Sequence, residues 1–207
     1  EYYGGKASWI DLTFLVFDLN FLWVYLGKTS IDFGVEVDIR SDGKNLIIHH
    51  DPMTQGEYFK DWILAYNHGT LILNVKEEGL EDALVKLMSQ HGIDDYFFLD
   101  QSFPFLRKTA LLGEARCAVR VSEYENIETA LSLSGMIDWV WVDCFNKFPL
   151  SYKDSQRLLD AGFKICFVSP ELQGRSEISH ISQFRDDIEL LGIEGDAVCT
   201  KYPDLWV

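Results

Sequence analysis

The chain has 207 residues, of which 18 are Lys or Arg and 33 are Asp or Glu, so its formal net charge is −15. This balance, with no basic stripe, argues against nucleic acid as the main partner, because phosphate backbones are bound by clustered Lys and Arg. With 47% hydrophobic and 14% aromatic residues, the chain can bury a sizeable core, and a single globular domain over residues 1–207 is expected.

The first part of the chain is apolar but interrupted. Within Trp9–Leu26, the polar residues Asp11, Asp18 and Asn20 break the apolar run. An acid near the centre of a membrane span costs about 2.5 to 3.5 kcal/mol on insertion scales, and no basic segment precedes the run as in a signal peptide. Stable membrane insertion is therefore not expected, and the run is predicted to supply a strand and a helix.

From residue 34 onward, short β-branched and aromatic runs alternate with segments whose apolar residues recur at spacings of three and four. Seven strands are predicted, at Val35–Ile39, Leu71–Val75, Tyr96–Leu99, Cys117–Val121, Trp139–Val142, Lys164–Val168 and Ala197–Thr200. Five helices are predicted between them, at Leu80–His91, Phe103–Leu112, Tyr124–Leu133, Ser151–Ala161 and Ile178–Leu191. A glycine follows the last periodic residue of each helix, where a left-handed cap is favoured.

This alternation predicts an α/β fold with a parallel sheet and right-handed crossovers. If Trp9–Leu26 adds an irregular first βα unit, the strands number eight, and a (β/α)8 TIM barrel is expected. An open doubly wound sheet is the rival fold, but no glycine-rich phosphate loop follows a first strand.

Two acids share one face of the first of these strands. Glu36 and Asp38 stand at i and i+2, while Val35 and Val37 point to the other face. Two carboxylates roughly 6.6 Å apart along a strand repel by about 2.5 kcal/mol at an effective dielectric of 20. A divalent cation between them would remove this repulsion, and the alternative is a solvated strand edge.

The next strand shows the same parity, since Asn74 and Lys76 share a face. A lysine on the buried side of a strand needs a partner. Lys76 is therefore predicted either to bind an anionic oxygen of a substrate or to pair structurally with Asp38 or Asp100.

A hairpin is predicted after the first of these strands, because Asp42-Gly43 is a turn signal followed by an apolar run and two histidines. A turn centred on Asp42-Gly43 pairs residue 36 with about 49 and residue 35 with about 50. It thus brings His49 and His50 near the paired acids, where an imidazole is suited to proton transfer at neutral pH.

At this point the residues resemble a known signature. Gly34–Pro52, with the sequence GVEVDIRSDGKNLIIHHDP, is similar to that of the glycerophosphodiester phosphodiesterases, which belong to the phospholipase C-like phosphodiesterase barrels. The shared elements are a Glu-x-Asp strand, an Asp-Gly turn and a His-Asp pair. The resemblance continues more loosely over residues 34–205 and implies a barrel hydrolase that acts on a small-molecule phosphodiester in lipid metabolism.

Carried over by position, the resemblance implies roles for individual residues. Glu36 and Asp38 would hold a divalent cation, Mg²⁺ or Ca²⁺, and His50 would be one acid/base histidine. Asn74 stands where the family has a further acidic ligand, and Lys76 matches the family's lysine two residues later.

The sequence departs from the family upstream. The family's first strand ends in a His-Arg pair, followed by a Glu-Asn-Thr motif, and neither occurs in residues 1–33. Either another group such as His49 takes that role, or the N-terminal region is divergent or altered, or the activity is lost.

Two later strand ends add candidate substrate ligands. Arg120 is a candidate phosphate clamp, because a guanidinium suits bidentate contact. The alternative for Arg120 is a salt bridge to Glu123 or Glu125. Glu171 is a candidate for orienting a substrate hydroxyl.

The expected function is metal-dependent hydrolysis of a phosphodiester by histidine acid/base catalysis. The alternatives are an inactive relic that acts as a binding protein, and a metal-assisted lyase or aldolase on the same barrel. The cysteines lie 22 or more residues apart without metal-ligand spacing, which predicts buried thiols in a reducing, cytoplasmic compartment. They are Cys117, Cys144, Cys166 and Cys199.

Overall fold

The computed structural model describes residues 13–16 and 30–206. Of the strand and helix predicted within Trp9–Leu26, the structure contains strand β1, Thr13–Val16. The predicted helix lies outside the described residues. Among the helices of residues 30–206, none has the length and apolarity needed to cross a membrane.

The described residues form two compact units, an N-terminal unit within residues 15–117 and a C-terminal unit that begins at residue 118 and also includes residues 13 and 14. The N-terminal unit is built on the parallel strands β2 (Gly34–Ser41), β5 (Leu71–Val75) and β6 (Tyr96–Leu99), with β1 parallel to β2 on its other side. Residues of β5 and β6 are buried along their full length, as expected for strands covered on both faces. The expectation of a single domain stays a prediction.

A β-hairpin extends β2. Strand β3 (Leu46–Ile48) pairs antiparallel with β2, and β4 (Glu57–Tyr58) pairs antiparallel with β3. Ile39 lies opposite Ile48, so the predicted register is wrong by two residues. The cause is a four-residue loop in which the Asp42 carboxylate accepts the N–H groups of residues 44 and 45.

Residues 30–117 of the N-terminal unit contain three α-helices. They are α1 (Phe59–Trp62), α2 (Glu81–His91) and α3 (Phe103–Leu111). The one-turn helix α1 is absent from the sequence predictions, because four residues are too few to show a periodicity. It buries Phe59 and Trp62 completely.

The C-terminal unit repeats the βα pattern with four parallel strands in chain order. They are β7 (Ala118–Val121), β8 (Trp139–Val142), β9 (Lys164–Val168) and β10 (Ala197–Thr200). The helices between them are α4 (Ile127–Leu131), α5 (Tyr152–Asp160) and α6 (Ile178–Leu191). Helix α4 is shorter than predicted because it begins only after Asn126, whose side chain accepts the N–H of Glu128.

The predicted burial of the cysteines is confirmed, and two of the five predicted glycine caps are confirmed. Gly92 and Gly192 end α2 and α6 in the left-handed region, each with a φ of 64°, where a side chain would be strained. All four cysteines are buried, and none of them forms a disulfide.

Candidate active site

Polar side chains gather where β2, β5 and β6 run side by side in the N-terminal unit. Glu36 and Asp38 are only 3% and 4% exposed, which rules out the solvated strand edge considered above. Asp38 lies opposite Asn74 in the parallel ladder, and Asn74 lies opposite Leu99, the last residue of β6. The period of two along each strand therefore places the acids and the amide on one face.

Asn74 holds Glu36 through its amide. Its Nδ2 donates to Glu36 Oε1 at 2.7 Å, which leaves the carbonyl Oδ1 of Asn74 buried without a hydrogen-bond partner. Burial raises the pKa of Glu36 well above its usual value, and the neighbouring charge of Asp38 raises it further. Ionisation of Glu36 in this cluster therefore costs free energy unless a cation lies nearby.

Lys76 supplies such a charge from the end of β5. Its Nζ lies 3.0 Å from Asp100 Oδ2 and 3.3 Å from Asp38 Oδ1, so both structural pairings considered from the sequence are present. Burial acts to lower the pKa of Lys76, but the charges of Asp100 and Asp38 outweigh it and the pKa is raised. Lys76 is a permanent cation between two carboxylates.

Asp100 occupies an unusual backbone position. It follows β6 with a φ of 61°, in the left-handed region that non-glycine residues rarely adopt. Asp is among the residues that tolerate this region best. Strained backbone of this kind is frequent at functional sites, and here it accompanies the ion pair with Lys76.

The two histidines follow β3 in an exposed turn. The N–H of His49 donates to the carbonyl oxygen of Asp38 at 3.1 Å, which brings the main chain of the turn beside the acids. Both imidazoles bond to Asp51. Nδ1 of His49 accepts the N–H of Asp51 at 2.9 Å, and Nδ1 of His50 lies 2.9 Å from Asp51 Oδ1.

The His50–Asp51 pair has a defined orientation. An ionised carboxylate only accepts hydrogen bonds, so Nδ1 of His50 carries the proton and Nε2 is left as the basic nitrogen. The hydrogen bond from His50 holds the pKa of Asp51 below its usual value. The side chains of His50 and Asp51 are 53% and 71% exposed, so the imidazole is open to a ligand from solvent.

Arg40 is a member of this site that the sequence reasoning missed. Its Nε donates to the carbonyl oxygen of His50 at 2.7 Å, and its Nη1 donates to that of Lys76 at 3.0 Å. The spacing in the sequence could have indicated it, since Arg40 follows Asp38 by two residues on β2 and therefore shares its face of the strand.

The oxygen atoms of this cluster fit a hard cation. Within residues 30–206, no three His, Cys, Asp or Glu side chains lie close enough to hold a metal ion together, so an amide would have to complete the ligand set. Oδ1 of Asn74 and Oδ1 of Asp38 are both buried without a hydrogen-bond partner, although Asp38 has the ion pair with Lys76. Carboxylate and amide oxygens are the ligands that Mg²⁺ and Ca²⁺ prefer.

Arg120, in the C-terminal unit, has a partner that differs from the predicted ones. Its Nε lies 2.9 Å from Oδ2 of Asp143. Asp143 is 1% exposed, and its Oδ1 accepts a hydrogen bond from Gln173. The predicted pairing with Glu123 or Glu125 is wrong, because Glu123 binds the N–H groups of residues 145 to 147 and Glu125 accepts from a serine hydroxyl. A role of Arg120 in substrate binding stays a prediction.

The carboxylate of Glu171 is buried and already engaged. Its Oε1 accepts from the hydroxyl of Thr200 at 2.6 Å and from the N–H of Lys201 at 2.9 Å, and its Oε2 accepts from Ser169. These bonds join the turn after β9 to the end of β10. Substrate binding by Glu171 stays a prediction, and its present contacts are those of a structural link.

Comparison of sequences identifies no relative, since no family model and no curated protein matches the chain. Comparison of structures finds proteins of similar fold. A glycerophosphoryl diester phosphodiesterase from Agrobacterium tumefaciens superposes with a TM-score of 0.67 at 13% identity, covering 94% of this chain and 95% of its own. A glycerophosphodiester phosphodiesterase from the same organism superposes with a TM-score of 0.62 at 12% identity, covering 94% and 99%.

These neighbours confirm the expected fold class, an α/β protein of the (β/α) barrel type. The resemblance inferred from Gly34–Pro52 is likewise confirmed at the level of the fold. The chain is a divergent protein with the fold of the glycerophosphodiester phosphodiesterases.

Proposed function

We propose that this protein is a phosphodiester hydrolase that acts on a glycerophosphodiester-like small molecule with the help of a divalent cation. One observation carries the proposal. On a fold shared with phosphodiesterases, the buried acids Glu36 and Asp38 stand beside the cation Lys76, and the turn bearing His50 is bonded to the same strand.

The protein's own residues supply three parts of the reaction. Lys76 would offset negative charge on a non-bridging phosphate oxygen. Nε2 of His50 would take the proton of the attacking water or hydroxyl, and the imidazolium would return it to the departing alkoxide. Asp51 would hold the ring in the tautomer that this exchange needs, as its bond to Nδ1 supports.

The cation would be held by Glu36, Asp38 and the carbonyl oxygen of Asn74. When bound, Mg²⁺ or Ca²⁺ supplies Lewis-acid stabilisation of a phosphoryl oxygen. With two carboxylates and an amide, the ligand set carries less negative charge than the family's set of acids, so weaker metal binding is expected than in a site with a third carboxylate.

A second candidate is supported by specific contacts. Asn74 already donates to Glu36, and Lys76 already neutralises Asp38 and Asp100, so the cluster is partly balanced by the protein's own groups. These contacts suit a relic of such an enzyme that binds a phosphodiester without cleaving it.

Turnover and metal uptake distinguish the two candidates. The protein would be incubated with Mg²⁺ or Ca²⁺ and bis-(4-nitrophenyl) phosphate, then with glycerophosphocholine, and metal binding would be measured by calorimetry. If the protein is an enzyme, release of nitrophenolate should depend on the metal ion. His50→Ala should then reduce the rate by a factor of about 10² to 10⁴. His91→Ala, at the exposed end of α2, is the matched control and should leave turnover unchanged.

The opposite result is equally clear. A folded protein without turnover on either substrate and without metal uptake would favour the relic. His49→Ala tests whether the neighbouring imidazole takes the role of the family's missing first histidine. A loss as large as that of His50→Ala would support this substitution.

A further inference from the structure

The proposed reaction leaves one buried-side cation of the site without a role. Arg40 lies on β2 and points to the same face as Glu36 and Asp38. Its guanidinium donates hydrogen bonds to two main-chain carbonyls, one at His50 and one at Lys76. These two residues have catalytic roles in the proposed reaction, proton transfer for His50 and charge stabilisation for Lys76.

The turn that carries His50 needs such a support. Residues 50–55 are all exposed, and the ladder between β2 and β3 ends with the bond from the His49 N–H to Asp38. The side-chain bonds of His49, His50 and Thr54 within the turn have partners inside the turn. Local bonds shape a turn, but they do not fix its distance from a neighbouring strand.

The guanidinium of Arg40 provides that fixed distance. One planar group donates in two directions, to the turn at 2.7 Å and to the end of β5 at 3.0 Å. A lysine ammonium at this position lacks the rigid fork that reaches two acceptors at once. Hydrogen bonds from a charged donor are also stronger than neutral ones.

We infer that Arg40 is a positioning residue, which holds the His50 turn at a set distance from Lys76 so that both can reach one phosphate. The catalytic part of this inference rests on the proposed function, whereas the structural part does not. Arg40 itself need not touch the substrate.

Amide hydrogen exchange tests the structural part in the full-length protein. In Arg40→Ala, the hydrogen-bonded amides of the turn, those of His49 and Asp51, should exchange about ten- to hundredfold faster than in the wild type, the effect expected from losing one charged hydrogen bond. Arg116→Ala is the control, because Arg116 bonds to Glu114 and to the carbonyl of Asp94 away from this turn. Unchanged exchange of the His49 and Asp51 amides would overturn the inference.

Kinetics test the catalytic part. Arg40→Ala should lower kcat about 100-fold with little change in KM, because misplacing a catalytic group by about 1 Å has this effect. Added guanidinium ion should restore part of kcat, and Arg40→Lys should retain more activity than Arg40→Ala. A purely structural loss would show no rescue and would lower the melting temperature more than Arg116→Ala does.

The outcomes separate the two proposals. An active wild type whose kcat is unaffected by Arg40→Ala overturns the positioning role. A wild type without turnover overturns the proposed function, and the exchange experiment then decides alone whether Arg40 fixes the turn. If Arg40→Ala does not fold, Arg40→Lys serves in both experiments with the same direction of change.

Discussion

Lys76 pairs with two acids at once, Asp38 and Asp100, and its removal should therefore be costly. In Lys76→Met, the side chain keeps most of its length and apolar stem, while Asp38 and Asp100 lose the ammonium at 3.3 and 3.0 Å. At an effective dielectric of 20, each lost attraction is about 5 kcal/mol before solvation is counted. Removing the ammonium also removes the cost of burying it. The expected net loss in the free energy of unfolding is therefore about 3 to 5 kcal/mol.

Urea unfolding at pH 7 measures this loss. Lys86→Met is the matched control, because Lys86 is exposed on α2 and its removal changes the net charge equally. Mg²⁺ or Ca²⁺ at about 100 times its dissociation constant should restore about 2.7 kcal/mol. A loss below about 1 kcal/mol at pH 7 would refute the view that the acids depend on Lys76.

Three further predictions concern single side chains. Burial raises the pKa of Glu36, so its contribution to folding is fully present below pH 4.5 and is lost as the pH rises through the folded pKa. Glu36→Gln should therefore be more stable than the wild type at pH 7 by urea unfolding, and the difference should vanish in acid. Gly56→Ala should lose about 1 to 3 kcal/mol in a thermal melt, since its Cβ would lie 2.4 Å from the carbonyl oxygen of Ile48. Glu171→Ala should cost about 3 kcal/mol, because two buried hydroxyls and an N–H lose their acceptor, and a stability equal to wild type would contradict the structural link.

Strand positions could be predicted from the sequence because the parallel strands are buried on both faces. Such strands appear as short apolar runs, and Leu71–Val75 and Trp139–Val142 agree with the structure to the residue. The register of the β2–β3 hairpin could not be predicted. The side chain of Asp42 caps a four-residue loop, and the turn signal Asp42-Gly43 fits both loop lengths.

Those parts of the site that follow from the alternation of side chains along a strand could be predicted. Glu36 and Asp38 share a buried face, and Lys76 pairs with both predicted carboxylates. Contacts that depend on long side chains meeting main-chain groups were beyond this reasoning. Neither the two carbonyl acceptors of Arg40 nor the pairing of Arg120 with Asp143 leaves a pattern in the sequence.

The backbone at Asp100 restricts which residues evolution can place there. A φ of 61° admits glycine freely and asparagine or aspartate at low cost, and it penalises most others. An alignment column limited to these three residues would therefore be expected from conformation alone. Only the choice of Asp over Asn within that column would report selection for a negative charge beside Lys76.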